Sequence, residues 1–227
     1  MRQLTVALLV ASCLSAEPPV RASIVVGGHA FDPAFFQIFD LPWLQAEVTP
    51  HPSALGTSVL NGDVIVLYDM LDELAPAKQA VLRRYAESGK GIVILHHALI
   101  DYTNWPWWHT EVAGGKYLRP GDGGKSSTFL HDIEIPVHVE RQHPVTRGLA
   151  DFTIHDEGYK GVWFSPRNTV LLSTTHAASD EPVCWISGWT KSRVVAIQLG
   201  HGPEAHRDPN YRKLVANAIL WASGRTR

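Results

Sequence analysis

The chain has 227 residues, which is enough for one sizeable hydrophobic core and short for two independent ones. Its 45% hydrophobic and 19% charged residues are those of an ordinary globular protein. The net charge of −2 and the scattered placement of the 20 Lys and Arg residues exclude the basic stripe that a nucleic-acid partner would need.

Residues 1–16 are predicted to be a bacterial export signal, the other interpretation being a buried first strand. Arg2 precedes an apolar run at residues 4–11 that is too short to cross a bilayer as a helix. Residues 10–13 also fit a lipobox, which would make Cys13 the lipid-bearing first residue. We expect a periplasmic protein or one lipid-anchored at the cell envelope. It would have no membrane span elsewhere and no disulfide, because Cys184 is the only other cysteine.

The first half of the chain alternates between predicted strands and helices. Apolar, β-branched runs bounded by glycine or polar residues are typical of buried parallel strands. Pro33 and Pro76 occupy positions where helices begin. Such alternation predicts right-handed βαβ units and a sheet with helices on both faces. The predicted strands are residues 21–28, 46–49, 63–68 and 91–95, and the predicted helices are residues 33–39 and a segment from Pro76 that Gly89 ends.

The middle of the chain, residues 105–164, is less regular and is predicted to be an insertion that folds over the edge of the sheet. It holds a Trp cluster, a Gly-rich stretch at residues 121–127 and an alternating strand at residues 131–140. The alternation then resumes, so residues 22–224 are expected to form a single α/β domain with a mostly parallel sheet. The later strands are predicted at residues 169–174, 182–187 and 193–199, and the closing helix at residues 210–223.

Histidines and a carboxylate follow four of the predicted strands in this chain of twelve histidines. His29 follows the first strand, Asp69 follows the strand at residues 63–68, and His96 and His97 follow the strand at residues 91–95. His201 follows the last. Ligands of open parallel sheets bind beyond the carboxyl ends of the strands, so these side chains are expected to meet at one edge. They predict a site that holds a metal or moves protons.

Each of these residues also has a structural interpretation. His29 could move a proton or hydrogen-bond its own turn, and Asp69 could contact a substrate or cap the turn that follows it. In the adjacent histidine pair, strand alternation sends one side chain to each side. We favour His97 as the metal ligand facing the pocket, with His96 at the turn. His201 lies between two glycines that leave it exposed, and it is the other predicted metal ligand.

The inserted segment contributes further candidates. Glu157 could act as a ligand or a base and Tyr159 as a hydroxyl donor, or both could belong to a hydrogen-bonded loop. Trp105 and Trp107 follow the histidine pair and could form a substrate-binding wall or pack in the core. The histidines interpreted as structural are His131, His138 and His143.

Four stretches, at residues 25–32, 91–117, 143–161 and 199–223, resemble the ThuA-like family, which is named for trehalose utilisation. This family belongs to the class I glutamine amidotransferase-like superfamily, and the resemblance implies a flavodoxin-like fold. Working amidotransferases carry a nucleophilic cysteine at the turn where this chain has His96. They pair it with a His and a Glu that His201 and Glu204 match. Because the thiol is missing, glutaminase chemistry through a thioester is not expected.

The family is linked with the breakdown of disaccharides and of oxidised (3-keto) sugars, and some members hold a metal such as zinc. The resemblance implies a divalent metal at His97 and His201, with His29, Glu157 and Tyr159 as further functional positions. One hypothesis is a metal-assisted hydrolase, lyase or isomerase acting on a sugar derivative. The others are a non-catalytic carbohydrate-binding or accessory protein, and an amidotransferase relative that only binds partners. The histidines favour the enzyme, because sugar binding alone relies more on aromatic and amide groups.

Overall fold

The computed structural model describes residues 17–51 and 53–225, and the predicted export signal, with Cys13, lies outside the described residues. The strands are β1 (Val20–Gly27), β2 (Leu44–Pro50), β3 (Val64–Asp69), β4 (Gly91–Leu95), β5 (Gly115–Lys116), β6 (Thr128–Val139), β7 (Phe152–Lys160), β8 (Trp163–Phe164), β9 (Thr169–Thr174), β10 (Pro182–Ile186) and β11 (Val194–Ile197). The α-helices are α1 (Pro76–Ala86), α2 (Pro203–Arg207) and α3 (Pro209–Ala222). Short segments of 3₁₀- or π-helix are Pro33–Phe39, Thr57–Asn61, His96–Leu99, Trp108–Ala113 and Pro144–Thr146.

Nine of these strands form one sheet in the order β2-β1-β3-β4-β11-β10-β9-β6-β7. Neighbours from β2 to β11 pair in parallel, and the strands from β10 to β7 continue the sheet with antiparallel pairs. The predicted α/β fold with a largely parallel central sheet is confirmed. The inserted segment is more regular than predicted, because β6 and β7 extend the sheet beyond β9 instead of lying irregularly over its edge.

The central strands are apolar on both faces because helices cover both faces. Every residue of β3 and β4 is buried. Leu214 of α3 belongs to the core on one face, and Leu82 of α1 belongs to the core on the other. Gly91 opens β4 where α3 crosses it, and a Cβ there would lie 2.5 Å from the backbone of Ala222. The last turn of α3 therefore lies directly against the amino end of β4.

The closing helix α3 begins at Pro209, one residue before the start predicted from the sequence. The side chain of Asp208 accepts hydrogen bonds from the backbone N–H groups of Asn210 (2.7 Å) and Tyr211 (2.9 Å), and Pro209 takes the first helical position. In the part of the chain that the structure describes, no helix is both long and apolar enough to pass through a membrane.

Candidate metal centre

The carboxyl ends of β1, β4 and β11 bring three of the predicted histidines together. The rings of His29 and His97 stack with centroids 4.0 Å apart. The ring of His201 lies 5.6 Å from that of His29 and 5.2 Å from that of His97. Imidazoles from three distant parts of the chain therefore meet at one edge of the sheet, as the parallel strand order requires.

His96 is the first residue of the 3₁₀ turn that follows β4, and its backbone is strained. Its φ of +42° is in the left-handed region, which a side chain with a Cβ rarely adopts. Its Nδ1 lies 2.5 Å from the carbonyl oxygen of Gln198. Because a carbonyl only accepts, Nδ1 carries the proton and the lone pair of Nε2 is directed into the cluster, 3.2 Å from Nδ1 of His201.

The imidazole of His97 is buried, and neither of its ring nitrogens has a hydrogen-bond partner in the structure. His96 and His97 were expected to face opposite sides, but their rings lie 4.6 Å apart and border the same cluster. The reason is that β4 ends at Leu95, so both histidines belong to one helical turn and the alternation of a strand no longer applies.

Burial favours the neutral form of the imidazoles of His96, His97 and His201. It lowers the pKa of His96 well below its usual value, and the neighbouring His201 adds to the effect. Burial and the proximity of His96 lower the pKa of His97 in the same way. For His201, burial outweighs the opposing influence of Glu157, and the pKa is again lowered. The neutral imidazole is the form that binds metal ions.

His96, His97 and His201 together fit a metal site. One nitrogen from each of His96, His97 and His201 can be chosen so that all three lie within 4.8 Å of one another. Three protein donors that leave a coordination position open are typical of catalytic zinc sites. A metal would also satisfy a ring nitrogen of His97, which otherwise remains buried without a partner. The residues therefore suit a divalent ion of the zinc type.

Glu157 joins this cluster from β7. Its Oε1 lies 3.3 Å from Nε2 of His96, and its Oε2 lies 3.4 Å from Nδ1 of His201. Burial is the largest influence on the Glu157 carboxyl and raises its pKa, although the surrounding imidazoles act in the opposite direction. A buried carboxylate held among neutral imidazoles can act as a proton acceptor or as a further ligand.

His131, interpreted from the sequence as structural, contacts the Oε2 atom of Glu157. Together with Glu157 and His201 it forms a second group whose ligand atoms lie within 4.8 Å of one another. The pairing of β6 with β7 is irregular between Leu130 and Ile133, and this irregularity places His131 against the cluster. No local pattern signals that placement, because it depends on which residue of β7 lies opposite.

Tyr159, also on β7, stacks on His96 with ring centroids 4.5 Å apart. Its hydroxyl lies 2.8 Å from Nε2 of His96. Burial, reinforced by Glu157, raises the pKa of this hydroxyl well above its usual value, so it keeps its proton and donates. Tyr159 can therefore donate to the imidazole or to a bound oxygen atom.

The turn that carries His201 is held by buried groups on two other strands. The carboxylate of Asp156 accepts hydrogen bonds from the backbone N–H groups of Gly200 and His201. The hydroxyl of Tyr68 donates to the carbonyl oxygens of the same two residues, at 3.1 and 3.0 Å. The exposed loop that the sequence suggested is thus fixed in position at His201.

Two cavities open onto the cluster, and both are lined by His29, His131 and His201. The first, about 580 Å³, is also lined by polar residues of α2, β6 and β7, including Asp132, His155 and Glu204. The second, about 370 Å³, contains His97, Glu157 and Tyr159 on one side and apolar residues on the other. The histidines therefore lie at the junction of two accessible spaces.

Three residues predicted to bind substrate lie elsewhere. Trp105 is buried in the core on the α1 face, and Trp107 packs under the guanidinium of Arg83, whose Cζ lies 3.7 Å from the ring centroid. Asp69 is buried, with its Oδ2 3.2 Å from Nδ1 of His51. None of the three lines either cavity. The segment that contains Trp105 and Trp107 turns back onto α1 after β4. Of the two interpretations given from the sequence, these residues therefore follow core packing and not a substrate-binding wall.

The chain has the α/β fold of class I glutamine amidotransferase-like domains. A putative GMP synthase protein from Thermoplasma acidophilum aligns with a TM-score of 0.59 and 12% identity, over 92% of this chain and 96% of that one. The described part of the chain has one cysteine, Cys184, which is buried in β10. It therefore holds no thiol at the strained turn, where His96 stands.

The family model described as ThuA, trehalose utilisation, matches residues 34–222, and the chain belongs to this family. A putative ThuA-like protein from Parabacteroides merdae aligns with a TM-score of 0.78 and 16% identity, over 92% of this chain and 91% of that one. Another from Bacteroides uniformis aligns with a TM-score of 0.71 and 23% identity, over 93% and 95%. Among curated proteins, none matches the chain.

Proposed function

We propose that this protein is a metal-assisted enzyme that acts on a sugar or an oxidised (3-keto) sugar derivative in carbohydrate catabolism. The observation that carries the proposal is the convergence of His96, His97 and His201, with ligand atoms within 4.8 Å of one another. The family description, trehalose utilisation, supports a sugar-related substrate. The absence of a thiol at the strained turn makes glutaminase chemistry a poor alternative.

A divalent metal held by the three histidines would polarise a carbonyl or hydroxyl oxygen of the substrate. Glu157 is the proposed base, because burial raises the pKa of its carboxyl and makes the carboxylate a better proton acceptor. Proton abstraction next to a sugar carbonyl is common to isomerisation and elimination, and activation of water by the same base would give hydrolysis. The proposed reaction class therefore includes isomerase, lyase and hydrolase chemistry.

Tyr159 and His29 have supporting roles in the proposed reaction. The protonated hydroxyl of Tyr159 lines the smaller cavity and donates a hydrogen bond to a substrate oxygen. Nδ1 of His29 lies 2.7 Å from the carbonyl oxygen of Ala30, so Nδ1 carries the proton and Nε2 can accept one. Because His29 is exposed, it can exchange that proton with solvent.

The proposal is tested by the metal content of purified protein and of variants with single ligands removed. We expect about one zinc or similar ion per chain in the wild type, and its loss in His97→Ala and His201→Ala. His138→Ala is the matched control, because His138 is a partly exposed histidine that pairs with Asp151 and belongs to neither candidate ligand group. Retention of metal in both ligand variants would contradict the proposed site.

Activity is then screened on 3-keto-glycosides with the metal-loaded protein. Glu157→Gln keeps the shape of the side chain and removes its basicity, so we expect a rate loss of about 10²- to 10⁴-fold. Sugar binding without metal would identify the protein as a carbohydrate-binding or accessory protein. If the protein binds neither metal nor sugar, the remaining hypothesis is an amidotransferase relative that only binds partners.

We also propose that the chain is exported, which rests on the sequence of residues 1–16 alone. Cell fractionation of the wild type and of Cys13→Ser tests it. Recovery in the soluble periplasmic fraction would indicate cleavage of an ordinary signal. Membrane association that Cys13→Ser abolishes would indicate a lipid anchor, and recovery in the cytoplasm would contradict export.

A further inference from the structure

The two cavities at the histidine cluster differ in chemistry. Outside the cluster, the larger cavity is lined by ionisable side chains such as Asp132, His155 and Glu204, together with Phe31 and Pro203. The smaller cavity is lined on its outer side by carbon-rich residues. These residues are Met70, Ile100, Tyr117, Pro120 and Phe129. A ligand that reaches into both cavities would meet polar groups on one side of the histidines and an apolar wall on the other.

The polar atoms in that apolar wall already have partners within the protein. The hydroxyl of Tyr117 donates to the carbonyl oxygen of Ser127 at 3.1 Å. The guanidinium of Arg119, the charged group of this wall, is paired with the carboxylate of Asp72. What the wall presents to a ligand is therefore mostly carbon, because Tyr117 and Arg119 each have a partner within the protein.

Phe129 is an exposed residue of this wall. Its side chain is 56% exposed, which is unusual for a phenylalanine, and its ring contacts that of His131 with centroids 5.0 Å apart. Leu130, the next residue of β6, is 50% exposed but does not line the cavity. Strand alternation directs these neighbours to opposite faces, so Phe129 alone of the two is available to a ligand at the cluster.

We infer that the substrate is a glycoside whose sugar lies in the polar cavity and whose aglycone is a planar, apolar group seated against Phe129. The inference rests on the proposed function and specifies its substrate class. A second sugar in the same position would bring several hydroxyl groups against a wall with few free partners, which costs free energy for each group that loses its water. An aromatic aglycone gives up few hydrogen bonds to water when it is buried there, and its ring can pack edge to face with Phe129.

Calorimetric titration with 4-nitrophenyl and methyl 3-keto-glucosides, in both anomeric forms, tests the inference. We expect the wild type to bind the 4-nitrophenyl compound about tenfold or more tightly than the methyl compound, from the apolar area that the ring buries. Phe129→Ser is expected to reduce this preference at least about fivefold. The matched variant Leu130→Ser removes an equally exposed apolar side chain from the same strand and is expected to leave the preference unchanged.

Equal affinity for the two compounds, equal effects of Phe129→Ser and Leu130→Ser, or no binding of either compound would overturn the inference. Tighter binding of 3-keto-trehalose than of the 4-nitrophenyl compound would also overturn it, because a second sugar would then fit better. Metal content is measured on the same samples. Bound metal without an aryl preference would refute the aglycone subsite alone, whereas an aryl preference without metal would refute the proposed metal-assisted reaction alone.

Discussion

The carboxylate of Asp156 and the backbone of His201 are joined by a buried hydrogen bond of 2.9 Å, and the other carboxylate oxygen accepts from the N–H of Gly200 at 2.7 Å. The strand β7 thereby fixes the turn that follows β11. Burial raises the pKa of Asp156 to about 6, although both N–H donors favour the ionised form, so the group is a carboxylate at neutral pH. The position of one proposed ligand thus depends on a residue that contacts no metal.

Replacement of Asp156 by Asn is expected to loosen this turn. One of the two acceptor oxygens becomes an NH₂ group that faces a backbone N–H, which leaves a buried donor without a partner and costs about 1–3 kcal/mol. We expect metal affinity to fall about tenfold or more, as measured by competition with a chelator. Asp151→Asn is the control, since Asp151 also accepts a backbone N–H, from Val139, but at an exposed position. An equal effect of the two substitutions would contradict the positioning role.

Tyr159→Phe separates the hydroxyl of this residue from its packing. The variant retains the ring that stacks on His96 and loses the hydroxyl, which lies 2.8 Å from Nε2 of His96 and can donate to a bound oxygen atom. We expect metal content to be retained and kcat on 3-keto-glycosides to fall about tenfold to a hundredfold, with a loss of about 1 kcal/mol in the free energy of unfolding. Loss of metal together with unchanged kcat per bound metal would show that Tyr159 only supports the ligands.

Asp101 gives the structure a pH-dependent stability. Burial, followed by repulsion from Asp69, raises the pKa of Asp101 well above its usual value of 3.8. The folded chain therefore holds this proton more tightly than the unfolded chain does. The resulting stabilisation is complete below 3.8 and is lost as the pH rises toward the folded-state pKa.

Asp101→Asn has no proton to lose, and its amide oxygen can still accept from the N–H of Leu71, which lies 2.6 Å from Oδ1 of Asp101. We expect the wild type to lose stability relative to this variant as the pH rises above about 4, because the unfolded chain releases the Asp101 proton while the folded chain still holds it. Urea unfolding at several values between about pH 5 and pH 8 measures the difference. Parallel stability curves for the two proteins would contradict a raised pKa at Asp101.

The sequence is sufficient for those parts of the fold and site that depend on local patterns. Buried runs such as Gly91–Leu95 are recognisable as strands, and parallel strands end at one edge, although Asp69 at the end of β3 pairs with His51 and lines neither cavity. His29, His97 and His201 are found together for this reason. The expectation that His96 and His97 face opposite sides fails because it assumes that β4 continues beyond Leu95.

Other features of the site depend on long-range contacts that the sequence does not encode locally. His131 reaches Glu157 through the irregular pairing of β6 with β7, between elements joined by a long connection. Trp105 and Trp107 follow the histidine pair in sequence, but the chain turns them onto the α1 face, where their large rings pack with the core. Sequence neighbours of a site are therefore weaker guides to its composition than strand ends are.

Anomalous diffraction at the zinc edge, from crystals grown with zinc, shows whether neutral imidazoles from separate strand ends hold one metal. We expect a single strong peak at about 2.0–2.1 Å from a ring nitrogen of each of His96, His97 and His201. A peak bound only by surface groups, or no peak in the cluster when zinc is in excess, would contradict it.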